Sequence, residues 1–369
     1  MKCADQINDI RESIQCGRLQ PGAMVGTEAE FAHKWQLSRN TVRRGIDQLV
    51  DEGLLERRPG KGLYVRASHT STRTVQLVVP DMTWTYMGKI ARGVKAEGKG
   101  RGVQVQVYDA HGEMDWDMEF IRQLPNGVTD GAIIASLHHR RFSEVLFELK
   151  ARAYPFVLVD QGLHDLEVPT VEIRNYDGGY AVGEKLAQFG HKRAAFLGPM
   201  KLDAVADRLN GFRDAMLDQG VLFDRSLVVD MGGEGLTDWL NERLEVAEES
   251  ILQLFESRNP PTAIFDGSGD LAAVVYRALQ RLGLKIPQDV SIITFDDAAV
   301  FTHFLDPPVT QLKHSWNDVG RAALDILIAE MNRTTPKSRN EPKEHRIVGY
   351  SWVEGASLAP VAIESQKRK

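Results

Sequence analysis

Residues 38–65 read SRNTVRRGIDQLVDEGLLERRPGKGLYV, and their order of residue types specifies a helix, a stop and a hairpin. Ser38 stands where an N-cap belongs, with a hydroxyl able to accept from a free amide of the first turn. Val42, Ile46 and Leu49 then recur at helical spacing as one apolar stripe. Arg39 and Arg43, four apart, share the opposite stripe, with Asn40 and Arg44 beside them. Asp51-Glu52-Gly53 ends the helix. LLERR, PGKG and LYVRA follow as strand, glycine-rich turn and strand.

Working upstream, Ile7, Ile10 and Ile14 recur at helical spacing and predict a first helix ending near Gly17. Pro21-Gly22 makes a turn. Thr27 and Glu30 form a capping-box pattern, and Phe31 and Trp35 give the helix that follows its buried side. Three helices and a small hairpin make a winged helix-turn-helix, whose third helix fits the major groove and offers its N-terminal polar residues to base edges. Arginine pairs with guanine and asparagine with adenine, each through two hydrogen bonds. Lys61, at the hairpin tip between two glycines, can approach a phosphate or a minor groove. A solvated helix face explains many charge runs, but here cap, spacing, apolar face and glycine wing agree on nucleic acid.

The charge distribution points the same way. The 369-residue chain has a formal net charge of −6. Residues 1–73 hold 12 Lys/Arg against 9 Asp/Glu, a balance of +3, which leaves −9 on the remainder. A basic module on an acidic body confines polyanion binding to the module. Length and 43% hydrophobic residues imply two or three domains with ample core. No apolar run approaches the ~20 residues of a membrane helix. MKCADQINDIRES lacks a basic-then-apolar leader, so a cytoplasmic protein is expected. Cys3 and Cys16, with no histidine cluster, suit reduced thiols rather than zinc ligands or a disulfide framework.

Residues 5–66, above all the stretch quoted first, resemble the DNA-binding domain of GntR-type regulators. That resemblance implies that Glu28, Arg39, Thr41 and Arg43 meet DNA. With the helix face and wing read directly, the candidate DNA-contact set is Glu28, Ser38, Arg39, Asn40, Thr41, Arg43, Arg44 and Lys61. The family usually has Pro-Ser-Glu-Arg where Gly26-Thr27-Glu28-Ala29 stand, a departure that bears on which operator sequence is read.

After ASHTSTRT (67–74), a Ser/Thr-rich linker, the pattern becomes short apolar runs alternating with amphipathic stretches. Strands are expected at 75–79, 103–108, 131–135, 156–160, 194–198, 227–231, 262–265 and 291–295. Helices are expected at 177–189, 203–219 and 270–282. Such alternation implies parallel sheets with helices on both faces, and about 280 residues of it suggest two lobes with a ligand cleft at the strands' carboxyl ends. The expected domains are 1–68 for the winged helix-turn-helix, 69–74 for the linker, 75–360 for the two-lobed body and 361–369 for a polar tail. The polar stretch 332–344 is expected to be a loop before one last strand, HRIVGYSWV.

GEKLAQFGHKRAAFLGPMKLDAVADRLNGFRDAM and IPQDVSIITFDDAAVFTHFLDPPVTQL are similar to the effector-binding domain of LacI-type repressors, itself similar to periplasmic sugar receptors. The resemblance implies two lobes joined by three crossovers, a sugar or related effector between them, and a homodimer. The family's cleft positions fall on the loop after the first strand (Asp81, Met82, Thr83, Trp84) and on Asp160, Arg208 and Asp296. The candidate effector-binding set is Asp81, Trp84, Asp160, Arg208, Asp270 and Asp296. Carboxylates and a guanidinium suit hydroxyl groups, and an aromatic ring suits the apolar face of a sugar. Other readings stand beside these. Asp296 and Asp297 could cap the next helix, Arg208 could lie on a helix surface, and Trp84 could be ordinary packing or an exposed loop residue. Gly269-Asp270 replaces the family's usual Asn-Asp. Arg174-Asn175 replaces its Asp-Asn, and Arg174 could favour an acidic effector or point to solvent. The stretch 232–249, with Trp239, is longer and more acidic than the family leads one to expect.

No nucleophile, metal or phosphate-loop spacing appears among the histidines and carboxylates, and Gly178-Gly179 and Gly232-Gly233 lack a dinucleotide fingerprint. No catalytic residue, metal or cofactor is therefore expected, and no membrane partner. The expected partners are double-stranded operator DNA, a small-molecule effector and a second copy of the chain. The resulting expectation is a repressor of a carbohydrate-use operon. An activator of the same architecture is the alternative, and a sugar receptor without a regulatory role the remote one.

Overall fold

The computed structural model describes residues 2–15, 18–20, 22–52, 54–65, 73–110, 114–135, 142–160, 162–163, 166–232, 244–296, 302, 304–333 and 342–361. Most of the expected linker and tail lie outside these residues, as do Trp239, Asp297 and Cys16. The chain divides into two units, Met1–Arg73 and Thr74–Lys369.

In the head, helices α1 (Lys2–Gln15), α2 (Glu28–Trp35) and α3 (Arg39–Asp51) bury Ile7, Ile10, Phe31, Val42, Ile46 and Leu49 in one core. The wing is β2 (Leu55–Arg58) antiparallel to β3 (Gly62–Val65). A third strand, β1 (Met24–Gly26), pairs antiparallel with β3 on its other side. Three residues are too few to show alternation, so nothing in the sequence pattern marks it. Gly62 is required at the wing, because a Cβ there would come within 2.9 Å of the Gly26 carbonyl oxygen, at φ +107.

The body repeats one plan twice. In lobe 1, β4 (Arg73–Val79), β5 (Val103–Asp109), β6 (Gly131–Ala135), β7 (Phe156–Asp160) and β8 (Thr170–Ile173) alternate with α4 (Thr85–Gly98), α5 (Met114–Gln123) and α6 (Ser143–Ala151). Lobe 2 begins with α7 (Asn175–Gln188), followed by β9 (Ala194–Gly198), α8 (Asp203–Asp218) and β10 (Val228–Asp230). It continues through α9 (Leu244–Phe255), β11 (Ala263–Asp266), α10 (Ala272–Arg281), β12 (Ser291–Phe295) and β13 (Thr310–His314). The chain then returns to lobe 1 as α11 (Trp316–Met331) and β14 (His345–Val348), and ends in lobe 2 with β15 (Tyr350–Val353). The sheets run β14-β8-β7-β6-β4-β5 and β10-β9-β11-β12-β13-β15. Both place a lobe's first strand between its second and third, the arrangement that opens a crevice at the strands' carboxyl ends.

HRIVGYSWV is therefore two strands rather than one. His345–Val348 pairs parallel with β8, and Tyr350–Val353 pairs antiparallel with β13 in the other sheet. Apolar alternation over nine residues does not reveal that the chain changes sheets at Gly349. The other two crossings run from β8 into α7 and from β13 into α11. Each of these helices lies tightly against a neighbour. A Cβ on Gly179 would sit 2.0 Å from the Arg208 carbonyl oxygen, and one on Gly320 would sit 2.2 Å from that of Ile90. Gly179 thus serves the contact of α7 with α8, and Gly320 that of α11 with α4. Among the described residues no helix is long and apolar enough to cross a membrane.

Candidate nucleic-acid interface and ligand cleft

On the head, two caps fix where the polar residues begin. Glu30 N–H donates to Thr27 Oγ1 (3.2 Å), and Thr27 N–H donates to Glu30 Oε2 (2.7 Å). Thr41 N–H donates to Ser38 Oγ (3.2 Å), and the two hydroxyls lie 2.8 Å apart. Ser38 and Thr41 thus spend part of their hydrogen bonding on starting α3. With Val42, Ile46 and Leu49 buried, Arg39, Asn40, Arg43 and Arg44 are left exposed. Among the described residues Arg39, Asn40, Arg44 and the wing-tip Lys61 have no side-chain partner.

Glu28 and Arg43 are already engaged. Arg43 Nε donates to Glu28 Oε2 (3.2 Å), and Arg57 Nε, from β2, donates to Glu28 Oε1 (3.0 Å). Arg57 Nη2 also reaches Asp47 Oδ1 on α3 (2.6 Å). Sequence reasoning missed Arg57, because 29 residues separate it from Glu28 and no local period connects a wing strand to a helix start.

In the body, the switch points of both lobes face a group of buried polar residues. Arg208 lies on α8 but is buried, not on the helix surface. Its Nε donates to Asn175 Oδ1 (2.8 Å), its Nη1 donates to the Gly267 carbonyl (2.8 Å), and its guanidinium lies 3.8 Å over the Phe295 ring. Asn175 in turn hydrogen-bonds Asp160. Asp160 ends the fourth strand of lobe 1 and Asp296 follows the fourth strand of lobe 2, and both adopt left-handed backbone, at φ 81 and φ 74. Such φ values are uncommon outside glycine and are retained where surrounding structure over-determines them. Asp296 accepts from Trp316 Nε1 (2.5 Å) and from the His314 amide (3.3 Å). The acid thus ties the end of β12 to the second crossing.

Burial sets the electrostatics. It raises the Asp160 carboxyl above its usual range, against the pull of Arg208 and Asn175. It also pushes Asp270 up to about 7, helped by the negative charges of Asp266 and Asp296. His314 falls to about 3, through burial and then the Arg208 charge, so its ring is neutral at physiological pH. Asp266 differs in kind. It accepts from the amides of Ser268, Gly269 and Leu271 and from the hydroxyls of Ser268 and Thr294, each at 3.0 Å. Its oxygens are fully occupied in building the 267–271 turn.

Aromatic rings line the same region. Trp84, only 7% exposed, stacks on Tyr86 at 5.8 Å, Tyr86 lies 4.6 Å from Trp316, and Trp316 lies 6.2 Å from His314. Trp84 is thus a buried member of this wall rather than an exposed loop residue. Asp81 stands apart from the buried group: its Oδ1 accepts from Thr83 N–H (2.7 Å) and shapes the loop that presents Trp84. Arg174 is exposed and paired with Asp177 at 2.7 Å, so its guanidinium is committed outside the buried group. Tyr86, Phe295, His314 and Trp316 join the site without having been singled out for it, and Asn175 joins it from the Arg174-Asn175 pair whose arginine points elsewhere. Their position at element ends becomes meaningful only once the two sheets are assembled. Among the described residues no group of His, Cys, Asp and Glu is arranged to hold a metal ion.

Residues 5–65 match the gntR family of bacterial regulatory proteins, and residues 184–358 match the periplasmic binding protein-like domain. Among relatives, the chain is 27% identical to the HTH-type transcriptional repressor CytR of Escherichia coli over 80% of this chain and 82% of that one. It is 26% identical to the arabinose metabolism transcriptional repressor of Geobacillus stearothermophilus over 87% and 88%. Similar solved structures include a LacI family transcriptional regulator from Enterococcus faecium with bound ribose, at TM-score 0.64 and 21% identity, covering 78% of this chain and all of that one. Another is the transcriptional regulator CelR in complex with cellobiose, at TM-score 0.64 and 24% identity, covering 88% and 92%. At these identities the structural likeness speaks for the fold.

Proposed function

We propose that this chain, a GntR-family head joined to a periplasmic-binding-protein-like body, is a cytoplasmic, homodimeric transcriptional repressor of a carbohydrate-use operon and not an enzyme. Two heads, within residues 1–68, meet half-sites of a pseudopalindromic operator. Arg39, Asn40, Thr41 and Arg43 read bases, Glu28 orients Arg43, and Arg44 and Lys61 meet phosphates. A sugar or sugar-derived effector in the cleft of residues 75–360 contacts Trp84, Asp160, Arg208, Asp270 and Asp296, with Asp81 shaping the rim. It shifts the lobes and thereby the spacing of the heads. Such coupling requires different effector affinities in the two states, typically worth about 1–3 kcal/mol.

The observation that carries this reading is the exposed, unpartnered row of Arg39, Asn40 and Arg44 on a helix whose apolar side is already buried. Those side chains have nothing left to stabilise within the head, and a major groove supplies what they lack. The named relatives, repressors over most of their length, support the mode of action.

The test is fluorescence anisotropy with DNA from upstream of the protein's own operon, with competitor DNA present and sugars added in turn. Specific binding that one sugar abolishes is the expected result. Binding that a sugar strengthens would favour activation or corepression. Equal affinity for operator and unrelated duplex would remove the regulatory reading.

A further inference from the structure

The cleft contains more hydrogen-bonding capacity than it uses. Among the described residues, four buried polar atoms there have no partner: Trp84 Nε1, Asp160 Oδ1, and His314 Nδ1 and Nε2. Their residues are 7%, 5% and 1% exposed. His314 Nδ1 lies 3.9 Å from Asp296 Oδ2, beyond hydrogen-bonding reach. Buried polar groups in folded proteins are almost always paired, so a cluster of unpaired ones at a strand-end crevice marks where a ligand completes the set.

The kinds of atom left over are informative. Trp84 Nε1–H can only donate, and the Asp160 oxygen, as carboxylate, can only accept. Neutral His314 has one donor and one acceptor. The cleft therefore asks for acceptors and donors in equal measure, from groups lying beside aromatic rings. A hydroxyl meets both demands. A carboxylate or phosphate offers acceptors alone and would bring its charge against Asp160 and Asp296, both buried, where repulsion is weakly screened. An ammonium offers donors alone and leaves Trp84 facing a donor. Arg208, the obvious anion partner, gives Nε to Asn175 and Nη1 to Gly267 with its face on Phe295, its charge is already offset by Asp160 and Asp296, and its remaining N–H groups serve a hydroxyl as well as an anion. Arg174 is committed to Asp177.

We infer that the effector cleft takes an uncharged, hydroxyl-bearing ligand and rejects the anionic derivatives of the same compound, such as its phosphate or uronate, through the unpaired Asp160 oxygen and Trp84 indole. This rests on the carbohydrate-effector reading and narrows it. Asp160 requires a ligand donor, Trp84 a ligand acceptor, and His314 takes the second hydroxyl in either sense.

The experiment is calorimetric titration of the full-length chain with matched pairs: ribose and ribose 5-phosphate, glucose and glucose 6-phosphate, galactose and galacturonate, with cellobiose as a larger neutral probe. The expected result is that whichever probe binds is neutral, and that its charged counterpart binds about 100-fold or more weakly, as sites built to pair a substrate hydroxyl reject analogues lacking it. Trp84→Phe, which keeps the ring and removes the donor, should weaken the neutral binder about tenfold while leaving the melting transition in place. A charged member that binds as tightly as its parent, or an unchanged affinity in Trp84→Phe, overturns this assignment while the effector reading stands. Absence of binding by every probe removes the carbohydrate reading, and this inference with it.

Discussion

On the head, the charged side chains of the candidate interface are exposed and have in part paired with one another. In the body's cleft most of them are buried, and one Asp160 oxygen is left without a partner. Glu28 serves Arg43 and Arg57, and Arg57 also serves Asp47, all in contact with solvent. Asp160 and Arg208, in contrast, are 5% and 7% exposed, with Asn175 between them. The difference follows from what each must bind. A polyanion is attracted at long range, and exposed charges suffice if salt is low enough. A small neutral molecule has no field to follow and must be selected by unmet hydrogen bonds in a low-dielectric site. The same residue type therefore carries different energetic weight in the two places, and substitutions should reveal it.

The largest effect is expected at Arg208. Removing one partner from a buried charged group leaves the others unpaired, at a cost of about 3–5 kcal/mol. Arg208→Met should lower the stability of the body by that order in denaturant unfolding and abolish the effector response, while operator binding by any folded fraction persists. A loss below about 1 kcal/mol would mean that Arg208 is as well hydrated as the arginines of the head, and the contrast would fail.

A titration should sharpen the contrast. Asp270, pushed up to about 7 in the folded body, has an unfolded value near 4. The folded state therefore holds this proton more tightly. Its contribution favours folding at low pH and is lost as pH rises from about 4 to about 7, after which it is flat. Denaturation midpoints of the wild type and of Asp270→Asn across that window should diverge progressively towards neutral pH, with the variant's contribution flat. Parallel curves would place Asp270 in water. The effect is expected to be smaller than that of Arg208→Met because Asp270 is partly exposed.

These two sites also differ in how readily the chain discloses them. Ser38, the Val42-Ile46-Leu49 stripe and the glycine-flanked Lys61 are local features, legible because a cap and a helix period act within a few residues. Strands such as Phe156–Asp160 and Ser291–Phe295 are legible as apolar runs that both faces of a sheet will bury. Asp160, Arg208 and Asp296 enter through resemblance to a family. Burial of Arg208 could not be read from helix periodicity, since α8 meets both solvent and the Asn175 crossing. Tyr86 is distant in sequence from the neighbouring His314 and Trp316, and meets them only because the crossing from β13 into α11 brings their junction to the start of α4. The split of HRIVGYSWV between two sheets was hidden for the same reason: which sheet a strand joins is a tertiary choice.

The smallest effect, and the finest test of the contrast, concerns the pairing of Glu28 with Arg57. Exposed ion pairs are worth about 0.2–1 kcal/mol, so neither Glu28→Gln nor Arg57→Ala should change head stability much. Their effects on DNA should nevertheless have opposite signs. Glu28→Gln releases Arg43 and Arg57 from a carboxylate and adds net positive charge to the face, so binding to unrelated duplex should strengthen and its salt dependence steepen by about one phosphate's worth. Arg57→Ala leaves Asp47 unpaired and Glu28 with Arg43 alone, so binding to unrelated duplex should weaken and its salt dependence become shallower. The slope of log K against log salt, measured by anisotropy on a non-operator duplex, separates the two. If both variants shift the slope in the same direction, the network is structural packing, and the head's charges resemble those of the cleft more than their exposure suggests.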